Sequence, residues 1–262
     1  MPYDTLLVAD ADPHILEVTL NRPQQRNALN TQMGRELRDV FRPLVFDPKD
    51  YRCIVITGAG DKAFCAGGDL LERDGMSDTD WLAQHAIFED AIYAIMECSV
   101  PTIAAVNGAA YGGGCEIALA CDFIHASENA TFALPEVTLG IMPGAGGTQN
   151  LPRAIGTRRA LELLMTGKSF TSAEAKEWGM VNEIFPESEL RSAVLNTARR
   201  ISANAPIAVR QAKLSAQTGT QMDLHNALQF EVQSYNRLVA TEDRREGVRA
   251  FNERRKPKFT GR

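Results

Sequence analysis

The feature that most constrains the fold is a glycine-rich stretch at residues 107–122, NGAAYGGGCEIALACD. Its three consecutive glycines stand just before Glu116 and a short apolar run. Glycines in this position let the backbone turn tightly and approach a ligand closely. The first amides of the helix that follows have no partner and lie at the positive end of its dipole, so they attract an oxyanion. The stretch therefore predicts an anion-binding helix N-terminus with a carboxylate about one turn into the helix.

A second glycine-rich loop, KAFCAGGDL at residues 62–70, follows an apolar strand, CIVIT at residues 53–57. Two preorganised backbone amides can together hold the negative charge that develops on an oxygen atom during a reaction. Each glycine, taken alone, fits simple turn geometry equally well. The pair of loops, each behind a buried strand, favours a two-donor oxyanion hole.

Two glutamates, Glu116 and Glu136, stand among apolar residues twenty positions apart. A glutamate in the first turn of a helix is favoured by the helix dipole and is usually exposed, so Glu116 alone is weak evidence for chemistry. Its apolar neighbours predict a buried segment, where an unpaired charge is unfavourable and is usually kept only for a function. Two such carboxylates suit general acid–base chemistry, because burial and mutual repulsion keep one of them protonated near neutral pH.

Composition disfavours several classes of function. The 262 residues carry a net charge of −5, which speaks against nucleic-acid binding by the whole surface. Five cysteines in no zinc or CxxC spacing predict reduced, buried thiols. The four histidines show no metal spacing, so we expect no metal site and assign them structural or surface positions. Since no signal peptide or apolar run of membrane-spanning length is visible, we expect a cytoplasmic protein.

Apolar patterning predicts an α/β fold. Short apolar strands alternate with amphipathic helices to about residue 200, and almost only helix follows. The polar segment GMSDTD at residues 75–80 predicts a mobile lid. Thr171 and Glu174 have the spacing of a capping box, and Ser188 is the predicted N-cap of the next helix. One face of a late helix carries an apolar stripe made of Leu224, Leu228, Val232, Tyr235 and Leu238.

Four motifs and the tail resemble one known family. The motifs are NRPQQRNAL at residues 21–29, FCAGGDL at 64–70, the stretch at 107–122, and LPEVTLGIMPGAGGTQNLPR at 134–153; the tail is AFNERRKPKF at 250–259. Together they are similar to the enoyl-CoA hydratase/isomerase, or crotonase, superfamily. The resemblance implies a crotonase-type spiral of repeated ββα units with a C-terminal helical trimerisation segment. The expected domains are a crotonase core with the acyl-CoA site at 1–200 and a helical oligomerisation segment at 201–262.

The resemblance also implies roles for individual residues. Gly68 and Gly113 correspond to the amide donors of the oxyanion hole. Glu116 corresponds to the residue that activates water for attack at the β-carbon, and Glu136 to the residue that protonates the α-carbon. The positions implied to bind the substrate and its coenzyme A are Arg26, Ala66, Gly68, Asp69, Leu70, Gly113, Gly144, Phe251 and Arg254. In relatives, the residues matching Phe251 and Arg254 reach a neighbouring subunit's coenzyme.

The resemblance implies no cofactor, because coenzyme A is part of the substrate. We expect an acyl-CoA thioester and further copies of the chain, as a trimer or a dimer of trimers, to be the partners. Neither a membrane nor nucleic acid is an expected partner.

The predicted function is that of an enoyl-CoA hydratase, and alternatives stay open. The loops ERDGMS, LPRAIG and APIAVRQAK most resemble methylglutaconyl-CoA hydratases. An enoyl-CoA isomerase shuttles a proton with one carboxylate, which the presence of both glutamates disfavours. A relative of the methylglutaconyl type also binds AU-rich RNA, but the acidic balance and the lack of a lysine-rich helix disfavour that activity. A non-catalytic scaffold is disfavoured because every chemical position is present.

Overall fold

The chain forms ten strands and eleven helices within residues 3–262, the part that the computed structural model describes. The strands are β1 (Leu6–Asp12), β2 (Ile15–Leu20), β3 (Cys53–Gly58), β4 (Ala63–Cys65), β5 (Thr102–Val106), β6 (Ala109–Tyr111), β7 (Phe123–Ser127), β8 (Thr131–Ala133), β9 (Phe170–Thr171) and β10 (Glu183–Phe185). The helices are α1 (Thr31–Phe46), α2 (Leu70–Arg73), α3 (Asp78–Met96), α4 (Gly113–Ala120), α5 (Gly147–Ile155), α6 (Thr157–Thr166), α7 (Ser172–Glu177), α8 (Glu187–Ser202), α9 (Pro206–Gly219), α10 (Leu224–Val239) and α11 (Glu242–Asn252). In this part of the chain, every helix falls short of the length and hydrophobicity that a membrane crossing requires.

The larger sheet has six strands in the order β1-β2-β3-β5-β7-β10. The β1–β2 pair is an antiparallel hairpin, and every later pairing in this sheet is parallel. Strands β3 (CIVITG) and β5 (TIAAV) are buried along almost their whole length. Continuous apolar strands of this kind are expected where both faces of a parallel sheet are covered.

A smaller sheet of four strands, in the order β4-β6-β8-β9, runs beside the larger one. The chain passes from β3 to β4, from β5 to β6 and from β7 to β8, and each pair of strands is followed by a helical segment. This threefold repeat confirms the predicted spiral of ββα units. Because β4, β6 and β8 pair in parallel, the loops that follow them emerge at the same edge. These three loops carry the glycine and glutamate motifs.

The core divides between the two faces of the larger sheet. Side chains alternate along a strand, so Ile54 and Ile56 of β3 join the main core cluster, while Val55 faces a smaller cluster. Helix α8 completes the smaller cluster with Leu190, Val194, Leu195 and Ala198. The sheet therefore has the spiral's interior on one face and α8 on the other.

Helices α9, α10 and α11 lie outside this core. Within the described residues, neither core cluster includes a side chain beyond Ile201. The predicted stripe on α10 is largely exposed, with Leu224 at 76% and Tyr235 at 67%. A buried ion pair fastens α9 to the core, because Lys213 Nζ lies 2.7 Å from Asp122 Oδ2 and donates to the Val100 carbonyl at 3.0 Å.

The helix ends confirm one predicted cap and correct another. Thr171 and Glu174 form the reciprocal capping box at the start of α7. Helix α8 begins at Glu187, directly after Pro186, and no side chain caps it. The prediction that Ser188 is its N-cap is therefore wrong, since Ser188 lies inside the first turn. Pro186 occupies the N-cap position, because proline is not tolerated inside a helix. The N-terminus of α8 therefore lies two residues before the position predicted from Ser188.

Only part of the segment at residues 75–80, which was predicted to be a mobile lid, is a loop. Ser77 is the N-cap of α3, and its hydroxyl accepts a hydrogen bond from the Asp80 amide. Asp78 and Asp80 therefore belong to the first turn of α3, where the helix dipole favours acidic side chains. Only residues 74–77 remain as the connection between α2 and α3.

Candidate active site

A cavity of about 470 Å³ opens where the loops after β4, β6 and β8 meet the side of α3. The loops contribute both glycine-rich motifs and both glutamates, and α3 contributes aromatic and aliphatic side chains. The lining residues that the sequence singled out are Ala66, Gly68, Leu70, Gly113, Glu116, Glu136 and Gly144. The structure thus collects into one cavity residues that lie up to 78 positions apart in the chain (144 minus 66).

The two predicted amide donors belong to loops that lie close together in the cavity wall. A Cβ atom on Gly113 would lie 4.0 Å from the Gly68 amide nitrogen, so the two loops approach closely. Gly113 is the first residue of α4, and its amide therefore has no partner within the helix. Gly112, just before it, has φ +50° and ψ −124°, a backbone conformation that only glycine adopts readily. The two amides form a pair of donors of the kind that binds an oxyanion.

Glu116 lies in the first turn of α4 and is 4% exposed. Its Oε1 accepts hydrogen bonds from the amides of Ala145 at 2.8 Å and Gly147 at 2.9 Å. Gly147 begins α5, so the carboxylate sits at the positive end of that helix dipole. Burial raises the pKa of Glu116, and the two amide hydrogen bonds oppose that rise because they favour the charged form.

Glu136 has a different environment, in a short 3-10 turn after Pro135. Its Oε2 is buried without a hydrogen-bond partner in the described chain. Burial, and then the charge of Glu116, raise the pKa of Glu136 to about 7. A Cβ on Gly112 would come within 3.1 Å of Glu136 Oε1, so the glycine also makes room for this carboxyl group.

Helix α3 adds cavity residues that the sequence analysis did not single out. Trp81, His85, Phe88 and Ile92 recur at helical spacing and line the cavity. The His85 ring lies in the cavity wall and is partly exposed, which agrees with the expected surface position. His85 Nε2 is 3.1 Å from Glu89 Oε1, and a Cβ on Gly144 would lie 2.4 Å from the His85 ring. The helical spacing of these four residues can be read from the sequence. Which side of α3 faces the loops cannot, because it depends on how the helix packs.

Four of the residues expected to bind substrate do not line the cavity. The Asp69 carboxylate pairs with Arg22 at 2.8 Å and caps α2. Arg26 adopts a left-handed turn, and its carbonyl accepts from the Ala66 amide at 3.0 Å. Phe251, which is 82% exposed, and Arg254 lie in the C-terminal segment. Asp69 and Arg26 therefore support the glycine-rich loop at residues 62–70, and the other two residues face outward.

No group of three or more His, Cys, Asp and Glu side chains within residues 3–262 is arranged to hold a metal ion. The five cysteines are buried and unpaired, as their apolar neighbours predict. What the cavity offers is two amide donors and two buried carboxyl groups. This set can hold an enolate oxygen while protons move on and off the neighbouring carbons.

The whole chain is similar to proteins of one family, and it belongs to the enoyl-CoA hydratase/isomerase family, whose sequence model matches residues 10–262. A crotonyl-CoA hydratase of Syntrophomonas wolfei is 38% identical over 99% of this chain and 99% of that protein. A 2,3-dehydroadipyl-CoA hydratase of Escherichia coli is 38% identical over 98% of this chain and 99% of that protein. The crystal structure of an enoyl-CoA hydratase from Bacillus anthracis is 42% identical, covers 99% of this chain and 100% of that one, and has a TM-score of 0.96.

Proposed function

We propose that this chain is an enoyl-CoA hydratase, which adds water reversibly across the double bond of a 2-enoyl-CoA thioester. The observation that carries the proposal is the unequal support of two buried carboxyl groups beside one pair of free amides. Glu116 receives two amide hydrogen bonds at a helix N-terminus, whereas Glu136 Oε2 receives none from the described residues 3–262. One group is built to carry a charge and the other to carry a proton.

The two amides are the proposed oxyanion hole. The thioester carbonyl oxygen is held between the Gly68 and Gly113 amides, which strengthen their hydrogen bonds as the oxygen becomes an enolate. Both donors are fixed by the backbone before the substrate arrives, so no reorganisation is needed during the reaction. The loss of one such donor costs about 100- to 1000-fold in rate.

The carboxyl groups complete the reaction. Glu116 takes a proton from water as the water oxygen bonds to the β-carbon. The electron pair of the double bond moves towards the carbonyl, and the enolate collapses as Glu136 delivers its proton to the α-carbon. The atoms balance without a cofactor. The two carboxyl groups interact, so their pKa values belong to the pair.

The remaining expectations about partners are part of the same proposal. The backbone of the loop around Ala66 and Leu70 binds the coenzyme A arm, and Arg26 contacts its phosphates. Phe251 and Arg254 reach the coenzyme of a neighbouring subunit. The core at 1–200 and the helical segment at 201–262 then assemble as a trimer or a dimer of trimers in the cytoplasm.

Exchange of each carboxyl group for an amide tests the proposal. We expect Glu116→Gln and Glu136→Gln each to lower the kcat for hydration of crotonyl-CoA by about 100- to 10,000-fold, because the proton can no longer be taken or given. The assay follows the loss of the conjugated thioester's ultraviolet absorbance. Glu162→Gln, an exposed glutamate on α6, is the matched control and should keep full activity. Near-full activity in either site variant would contradict the two-carboxylate mechanism.

A further inference from the structure

The imidazole ring of His85 stands in the cavity wall, and the mechanism proposed above assigns it no role. Its side chain is 32% exposed, so most of the ring is packed against the protein. Nε2 lies 3.1 Å from Oε1 of Glu89, which is one turn further along α3. The helix and this carboxylate therefore fix the ring in the wall.

The packed edge of the ring faces Gly144. A Cβ on Gly144 would lie 2.4 Å from Cε1 and 2.6 Å from Nε2 of His85, well inside van der Waals contact. The φ angle of Gly144 lies outside the left-handed region, so its backbone conformation alone admits other residues. Position 144 therefore requires a glycine because the His85 ring fills the space of a side chain.

Gly144 is one peptide unit away from a hydrogen bond that supports Glu116. The amide of Ala145 belongs to the peptide group that begins at the Gly144 carbonyl, and it donates to Glu116 Oε1 at 2.8 Å. Within residues 3–262, residues 142–144 form no backbone-to-backbone hydrogen bond. The loop therefore depends on side-chain packing at this point, and the atoms closest to a Cβ at Gly144 all belong to the His85 ring.

We propose that His85 is a positioning residue of the hydratase, whose ring holds Gly144 so that the Ala145 amide stays aligned on the Glu116 carboxylate. This inference rests on the proposed hydratase function and adds a residue to the same site. His85 acts through the loop and not on the substrate. Glu116 is then held ready to take a proton from water by a side chain of α3 as well as by the N-terminus of α5.

Charges near Glu116 act on it independently of the loop. Burial raises the pKa of Glu116, whereas its amide hydrogen bonds oppose the rise, as do the charges of His85 and Arg73. Arg73 of α2 lines the same cavity, and Glu136 is the other titrating group that interacts with Glu116. A protonated His85 would thus favour the charged form of Glu116 even without holding the loop. The experiment therefore has to distinguish the ring from its charge.

The pH profile of kcat/KM for crotonyl-CoA tests the inference. Activity falls on the acidic limb of this profile as the general base gains a proton. Loss of the Ala145 hydrogen bond destabilises the charged form of Glu116, so its pKa rises and the acidic limb moves to higher pH. We expect His85→Ala to lower kcat/KM on that limb, relative to its own optimum, by about 10-fold, because a hydrogen bond to a charged group is lost.

His85→Phe separates the ring from the charge. Phenylalanine keeps a flat ring against Gly144 and cannot be protonated, so its acidic limb should stay close to that of wild type. His225→Ala is the matched control, because His225 is an exposed histidine on α10 outside the cavity lining. Its profile should equal that of wild type. Thermal unfolding is recorded for each variant, so that every profile refers to folded protein.

A double substitution tests the contact itself. Gly144→Ala should move the acidic limb to higher pH, because the new methyl group displaces the loop from the ring. In Gly144→Ala/His85→Ala the methyl group occupies space that the ring has left. The double variant should therefore lie closer to wild type than the sum of the two single shifts, which is the signature of a direct interaction. If Gly144→Ala does not fold, the comparison of His85→Ala with His85→Phe carries the test.

The inference fails if His85→Ala leaves the acidic limb in place, because the ring would then not support Glu116. It also fails if His85→Phe shifts the limb as far as His85→Ala does, since the charge and not the ring would be responsible. Strictly additive shifts in the double variant would contradict the contact between the ring and Gly144. A wild-type chain that does not hydrate crotonyl-CoA contradicts the proposed function, and this inference with it, which is a distinguishable result.

Discussion

The two cavity glutamates show how one residue type acquires two different properties. The carboxylate of Glu116, a residue of α4, lies at the N-terminus of α5 and accepts two amide hydrogen bonds. The buried Oε2 of Glu136 accepts none from residues 3–262. Hydrogen bonds to a carboxylate favour its charged form, and burial without them favours the neutral acid. The backbone around each residue therefore decides which one releases a proton near neutral pH.

The unpaired oxygen of Glu136 has a cost in stability, which gives a pH-dependent prediction. The pKa of Glu136 is about 7 in the folded chain and 4.5 ordinarily, so the folded chain binds more protons between these values. The contribution of this group to the free energy of unfolding is therefore full below pH 4.5 and is lost as the pH rises to about 7. Glu136→Gln resembles the neutral acid at every pH. We expect its stability relative to wild type to increase across this window and to stay constant above it.

Urea unfolding of both chains at a series of pH values measures this difference. Titrating groups remote from Glu136 are common to both chains and cancel, so the difference reports the coupled pair of Glu116 and Glu136. Glu162→Gln should show no such trend, because its side chain is exposed. A difference between Glu136→Gln and wild type that is the same at pH 5 and pH 8 would contradict the raised pKa.

At this scale the sequence predicted the residues of the loops but not those of α3. The loop residues Gly68, Gly113, Glu116 and Glu136 follow strands, and strand ends are readable from apolar runs and glycines. Arg73 and His85 were missed because their part in the cavity depends on how α2 and α3 are turned against the loops. That orientation comes from packing between helices that are far apart in the sequence, such as α1 and α3. A pattern within one segment therefore does not predict it.

At the scale of elements, α4 is the part that positions the site. Its N-terminus carries Gly113 and Glu116, and the helix is pressed against β4. A Cβ on Gly114 would lie only 2.1 Å from the Cys65 carbonyl oxygen, a contact with rigid backbone. Glycine at this position therefore sets the distance between the two loops that hold the amide donors.

Gly114→Ala is expected to separate α4 from β4. The substitution should lower the free energy of unfolding by about 1–3 kcal/mol or more, since the overlap is with backbone and cannot be relieved by a rotamer change. It should also lower kcat, because the Gly68 and Gly113 amides move apart. Chemical denaturation and the crotonyl-CoA assay measure the two effects.

Gly113→Ala is the control for stability. The nearest side-chain atom to a Cβ at that position is Leu29 Cδ2 at 3.5 Å, an ordinary contact. Its free energy of unfolding should stay close to that of wild type. A Gly114→Ala chain as stable as Gly113→Ala would show that the α4–β4 contact is not tight.

The elements themselves were largely predictable, and their ends were not. The continuous apolar run at residues 53–57 predicted β3 to within one residue. The N-terminus of α8 was misplaced because Ser188 is a better capping residue than Pro186 by type, yet proline dictates where the extended backbone ends. Where two nearby residues could each begin a helix, the backbone conformation decides between them. Residue type alone does not predict which one it is.

At the scale of the whole molecule, the α9–α10 hairpin presents an apolar face that the chain does not cover. Leu224, Leu228, Val232 and Tyr235 are each about half exposed or more. An uncovered face of this kind marks an interaction surface in a globular protein. It agrees with the proposed self-association, in which identical copies bury this face against one another.

A single charge on this face tests the assembly. We expect wild-type protein to elute as a trimer or a dimer of trimers, and Leu228→Asp to shift it towards single chains, because a carboxylate would be buried at the contact. Size-exclusion chromatography with light scattering measures the mass. Gln229→Asp adds the same charge at the neighbouring exposed position and should leave the assembly intact. A wild-type monomer, or a Leu228→Asp chain of unchanged mass, would contradict the proposed interface.

The Lys213–Asp122 ion pair makes the C-terminal helices inseparable from the core. The two side chains are only 10% and 15% exposed, and Asp122 stands at the end of α4, one residue after its C-cap. Removing one partner of such a pair costs about 3–5 kcal/mol, a large part of a domain's net stability. The hydrophobic core thus ends near residue 200, but the helices beyond that point contribute to the stability of the core through this ion pair. A recombined tail without a cation opposite Asp122 would leave that carboxylate with the hydrogen bond from the Thr102 amide but without its ion-pair partner.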